Sequence, residues 1–179
     1  MRRVAVPVYK FSELSRAAKD RVKYDWEINT GYSWQDEAFG SLEKLAKVFD
    51  GKLKTWEIDW SCAINSSARF EMPKMSKAEI GRRLRGLGSY DKRTGKGHGD
   101  CVLTGYTVDE EVIDGFRLAF RQGETDLGKL MEAAFHSLME YTESDYEDAL
   151  KDDNFGEMCE ANEWEFYADG TRFHQKKLN

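Results

Sequence analysis

The chain has 179 residues, 40% of them hydrophobic and 34% charged, with 27 Lys/Arg against 33 Asp/Glu for a net charge of −6. That is the length of one ordinary domain, and no apolar run approaches the ~18 residues of a membrane-spanning helix. Only two prolines and three widely spaced cysteines (Cys62, Cys101 and Cys159) argue against a linker-rich chain or a disulfide framework, and fit a reducing cytosol.

The opening, Val4, Val6 and Val8 alternating with Arg3, Ala5 and Pro7, predicts an edge strand and is too short in apolar length for a secretory signal. Leu14, Ala18, Val22 and Trp26 recur every four residues and predict a helix over 15–27, capped by Ser15. Phe39, Leu42, Leu45, Ala46 and Phe49 predict a second helix over 34–49, followed by Gly51. Trp56, Ile58, Trp60, Cys62 and Ile64 alternate with polar or small residues, and Ala68, Phe70 and Met72 do so after an Asn-Ser-Ser turn. An antiparallel hairpin is expected there, with Trp56, Ile58, Trp60 and Phe70 on its buried face.

Ser76 and Glu79 form a capping-box pattern opening a helix with Ile80, Leu84 and Leu87 inside and Arg82, Arg83 and Arg85 outside. A glycine- and charge-rich loop is expected over 86–100, then a strand over 101–106. Thr107 and Glu110 open a helix ended by Gly123. Thr125 then caps the longest helix, which reaches toward Leu150 unless Thr142 or Ser144 breaks it. A short helix near 153–161 and a terminal hairpin around Asp169-Gly170 complete the chain. The fold class is α+β: a small antiparallel sheet of hairpins packed against several helices. It reads as a single domain over 1–179, with a basic helix–loop insert at about 74–100 and an acidic helical C-terminal third.

Charge is polarised along the chain. Residues 1–100 carry 20 Lys/Arg and 14 Asp/Glu, whereas 101–179 carry 7 and 19. Between Glu140 and Asp169 there are 12 acidic residues and only Lys151 to oppose them. Such blocks raise a surface potential that steers partners of opposite sign, although solvated helix faces look the same in sequence. One candidate partner-binding face is therefore Glu140, Glu143, Asp145, Glu147, Asp148, Asp152 and Asp153, an array able to compete for the arginines and lysines that hold phosphate. The alternative is a basic nucleic-acid face of Arg82, Arg83, Arg85, Lys92, Arg93 and Lys96, with Tyr90 placed to stack.

Catalytic chemistry finds little footing. The cysteines lie 39 and 58 residues apart, with no Cys-x-x-Cys or His-x-x-x-His, so no metal or cofactor is expected. His136 falls between Phe135 and Leu138 on a helix, a packing position. His98 has no nucleophile or carboxylate at a diagnostic spacing, and His174 lies near the end of the chain. Gly95-Lys96-Gly97-His98-Gly99 has neither P-loop nor dinucleotide-fingerprint spacing. Carboxylate pairs such as Asp109-Glu110 and Glu147-Asp148 are too abundant to single out an acid–base couple.

Three segments carry a resemblance. The start, Val8-Tyr9-Lys10-Phe11-Ser12-Glu13-Leu14-Ser15 with Ala18-Lys19, resembles the "F-x-E-L-S-x-x-A-K" opening of a family of phage and prophage accessory proteins. The segments Ile58-Asp59-Trp60-Ser61 and Ala68-Arg69-Phe70-Glu71 resemble its aromatic hairpin, with Cys62-Ala63-Ile64-Asn65-Ser66 where that family is glycine-rich. The stretch Ala161-Asn162-Glu163-Trp164-Glu165-Phe166, then Asp169-Gly170, resembles its "A-N-E-[YW]-x-F…D-G" ending. Members are sometimes labelled as the antitoxin of a toxin–antitoxin stability system. The resemblance implies an accessory role against host machinery and assigns no functional residue. The expected function is thus a phage-encoded, non-enzymatic inhibitor of a host defence complex such as a CRISPR effector, acting in the host cytoplasm by stoichiometric binding, with nucleic-acid mimicry as the means. The alternative is an antitoxin or regulatory protein that binds a toxin or nucleic acid.

Overall fold

The computed structural model describes residues 6–30, 35–59, 63–87, 90–91, 96–97, 103–105 and 108–173. Among these, six helices follow in order: α1 (Arg16–Thr30), α2 (Gln35–Val48), α3 (Lys77–Gly86), α4 (Val108–Arg121), α5 (Leu127–Ala149) and α6 (Asp152–Ala161). Strands β1 (Lys52–Glu57) and β2 (Ser67–Glu71) pair antiparallel, as do the two-residue strands β3 (Tyr90–Asp91) and β4 (Lys96–Gly97). The fold is α+β.

Helix starts follow side-chain chemistry. Ser15 Oγ accepts the Ala18 N–H at 3.3 Å, and Ser76 Oγ accepts that of Glu79 at 3.2 Å. For α5 the cap is Asp126, whose carboxylate accepts the Lys129 N–H at 3.1 Å, one residue beyond the expected Thr125. Thr142 does not break α5, because its hydroxyl donates back to the Met139 carbonyl at 3.0 Å within the helix.

Three helices share one ending. The N–H groups of Gly51, Glu124 and Trp164 reach back to the carbonyls of Ala46, Ala119 and Cys159 at 2.8, 3.1 and 2.9 Å. The residue before each of these three is left-handed: Asp50 (φ 57°), Gly123 (φ 103°) and Glu163 (φ 53°).

Three strand expectations change. β1 begins at Lys52 rather than Trp56, and its register slips between Leu53 and Thr55, so a bulge puts Leu53 and Trp56 on one face. Trp56 is 45% exposed, at the rim of the hairpin, with its ring stacked 3.8 Å from that of Phe39. Ile58 and Phe70 are half-buried, and Trp60 and Cys62 lie outside the described residues. Leu103–Gly105 form a bend, not a strand. The buried Asp109 carboxylate takes the Thr104 N–H at 2.8 Å, the Gly105 N–H at 3.2 Å and the Thr104 hydroxyl at 2.8 Å, and it also accepts from Ser41. Residues 6–8 are not in a strand. Instead Tyr9 bridges Phe166, which bridges Arg172, so the terminal turn closes on the start of the chain.

Contacts group the chain into two compact units, residues 1–33 with 145–179 and residues 34–144, where the sequence reads as one domain. The second unit is built on Leu42, Leu45, Phe49, Ile80, Val112, Phe116, Leu130 and Leu138, with the Phe49 and Phe116 rings stacked at 4.6 Å. The first is built on Phe11, Leu14, Ala18, Val22, Phe155, Cys159 and Phe166. No helix among the described residues is long and apolar enough to cross a membrane.

Candidate partner-binding surface

The seven expected acidic residues are divided and unequal. Glu140 and Glu143 lie in the second unit, and Asp145, Glu147, Asp148, Asp152 and Asp153 in the first. Asp152 is internally neutralised: Lys23 Nζ lies 2.5 Å and Lys19 Nζ 3.4 Å from its carboxylate, and the bond from Lys23 holds its pKa below the usual value. Asp148 pairs with Lys151, raising the lysine's pKa. Both carboxylates are thus ion-paired within the chain.

Glu140, Glu143, Glu147 and Asp153 have no hydrogen-bonding or ion-pairing partner among the described residues, and more such charge follows along α6. Asp153, Glu157 and Glu160 occupy i, i+4 and i+7 of α6 and so share a face. Glu163 and Glu165 follow just past the helix end. Among the described residues none of these five carboxylates has a hydrogen-bonding or ion-pairing partner. Asp153 to Glu160 spans ~10 Å of helix axis at ~1.5 Å per residue. One strand of duplex DNA places about three phosphates over the same length. Glu157, Glu160, Glu163 and Glu165 are not among the residues singled out from the sequence, although they lie in the same acidic block.

The inner side of this unit anchors the surface. Tyr146 stacks on Trp26 with ring centroids 5.9 Å apart, and its hydroxyl donates to Glu27 at 3.3 Å. Burial, with the Glu27 charge added, pushes its phenol up to about 12. Cys159 is 1% exposed, and burial pushes its thiol up to about 11, so it stays protonated and unreactive at neutral pH.

Two residues of the basic alternative, Arg82 and Arg83, are paired within the chain. Glu79 binds Arg82 through two bonds at 2.8 and 2.6 Å and Arg83 at 2.9 Å. Hydrogen bonds from Arg82 and then Arg83 draw the Glu79 carboxyl down to about 2. Arg83 also reaches Asp50 at 2.7 Å and donates to the Val48 carbonyl at 2.8 Å. Arg85 is exposed, Lys92 and Arg93 lie outside the described residues, and the side chains of Tyr90 and Lys96 are not described. Compared with protein-family models, curated proteins and solved structures, the chain matches none.

Proposed function

We propose that the protein is a phage-encoded, non-catalytic inhibitor that binds a nucleic-acid-handling host defence complex of the CRISPR type in the host cytoplasm. It presents carboxylates to a basic groove in place of phosphates. The observation that carries this reading is the row of carboxylates on α6 that have no partner among the described residues, set against Arg82 and Arg83 on α3, which are already held by Glu79 and Asp50. The resemblance of the chain's start, hairpin and ending to phage accessory proteins supports the setting.

Capture from host lysate on the immobilised protein, read by mass spectrometry with and without competing DNA or RNA, tests it. A nucleic-acid-binding effector displaced by either polyanion, and retained less by Asp153→Asn/Glu157→Gln/Glu160→Gln, is the expected result. Recovery of a small toxin, insensitive to nucleic acid, would replace this reading with that of an antitoxin.

A further inference from the structure

We infer that the cavity beside the end of α6 receives an arginine side chain presented by a protein partner. This deepens the proposed function, since it supposes the same basic partner and names what docks in one place. The cavity encloses about 610 Å³ within the first unit, in the range of ordinary ligand pockets. Its walls combine the carboxyl-bearing Glu160, Glu163 and Glu165 with the aromatic Phe11, Trp164 and Phe173, and Lys10 is the one cation among its described lining residues. Among the described residues Glu160, Glu163 and Glu165 have no partner, so even with Lys10 in the lining and Arg172 on the Trp164 ring the described walls are net negative and disfavour an anion.

An apolar ligand is a poor occupant, because it would strip water from three carboxylates without replacing the lost bonds. A metal ion fits no better: among the described residues no three His, Cys, Asp or Glu side chains are grouped to hold one. A guanidinium answers both kinds of wall, since it donates in a planar fork to carboxylates while its face lies on an aromatic ring. Trp164 in this lining already takes such a contact, with the chain's own Arg172 guanidinium 4.1 Å from its ring centre, which occupies one face of that ring. A lysine ammonium supplies the charge but neither the fork nor the stacking plane.

The full chain is titrated with acetyl-Gly-Gly-Arg-Gly-Gly-amide and with the same peptide carrying citrulline or lysine, followed by NMR shifts of the Trp164 indole. The arginine peptide is expected to bind in the millimolar range, with the citrulline peptide at least about tenfold weaker and the lysine peptide in between. Glu160→Gln/Glu163→Gln should weaken the arginine peptide by about tenfold, and Glu132→Gln, at an exposed carboxylate of the second unit, should leave it unchanged. Equal binding of arginine and citrulline peptides, no saturable shift up to ~10 mM, or indifference to Glu160→Gln/Glu163→Gln in a folded protein would overturn the proposal. Failure here with lysate capture intact removes the arginine receptor and leaves the acidic surface standing.

Discussion

Asp50 and Glu163 occupy the same left-handed position at the ends of their helices, and the chain treats the two differently. A non-glycine residue there costs ~1–2 kcal/mol through its Cβ, partly offset by the ~0.5–1 kcal/mol that glycine loses in backbone freedom. Asp50 has a visible compensation in its ion pair with Arg83 at 2.7 Å. Glu163 has none among the described residues and lines the cavity instead. Glu163→Gly should therefore raise unfolding stability by ~0.5–1 kcal/mol in urea melts. Asp50→Gly should gain less than that or lose stability. A loss on Glu163→Gly would show that its side chain contributes to folding, and would remove the contrast between the two sites.

Helix pairing gives a second kind of test. A Cβ built on Gly115 of α4 would lie 2.5 Å from Ser137 Cβ and 2.8 Å from the Ala133 carbonyl of α5, so these helices touch backbone to backbone. Gly115→Ala should destabilise the second unit by ~1–3 kcal/mol, despite alanine's better helix propensity, because α5 must move. An unchanged melting temperature would refute that close approach. On α3 the consequence concerns pH. The Glu79 carboxyl is lowered from 4.5 to about 2 in the fold, so its contribution is present above pH ~4.5 and lost as pH falls toward 2. Glu79→Gln should flatten acid denaturation over that window, as followed by circular dichroism.

These same elements show what could be read in advance. Helices were legible because a 3.6-residue period and a capping residue are local signals. Strand β1 was misplaced because a bulge between Leu53 and Thr55 breaks the alternation on which strand reading relies. The bend at Leu103–Gly105 was read as a strand because nothing local reveals that Asp109 takes its N–H groups.

At the scale of the whole molecule, the charge asymmetry was legible and its allocation was not. Asp152 looks as free as Asp153 in sequence, yet its lysines lie 129 and 133 residues away. The cavity likewise draws on Lys10 and Phe173, near opposite ends of the described chain. Exposed carboxylates are worth ~0–1 kcal/mol each and are screened beyond ~8–10 Å. Single substitutions on the acidic row should thus be nearly silent. Asp153→Asn, Glu157→Gln and Glu160→Gln together should weaken partner binding, whose affinity should fall steeply with salt. Arg83→Ala should instead lower stability and spare binding, because it removes the bonds to Asp50, Glu79 and the Val48 carbonyl. Binding indifferent to salt and to the triple change, but lost with Arg85→Ala, would move the contact to α3.

The bridges from Tyr9 to Phe166 and from Phe166 to Arg172 also bear on how the chain is made. Residues 34–144 form one uninterrupted stretch and acquire their partners as they leave the ribosome. Helix α1 has no such neighbour at hand: Ala18 and Val22 are buried with Phe155 and Phe166, which are synthesised far later. At ~5–20 residues per second, its apolar stripe waits roughly 7–27 s for them. During nascent synthesis α1 is therefore a candidate chaperone client, and truncation before Phe166 should leave it sensitive to protease while α4 and α5 stay protected.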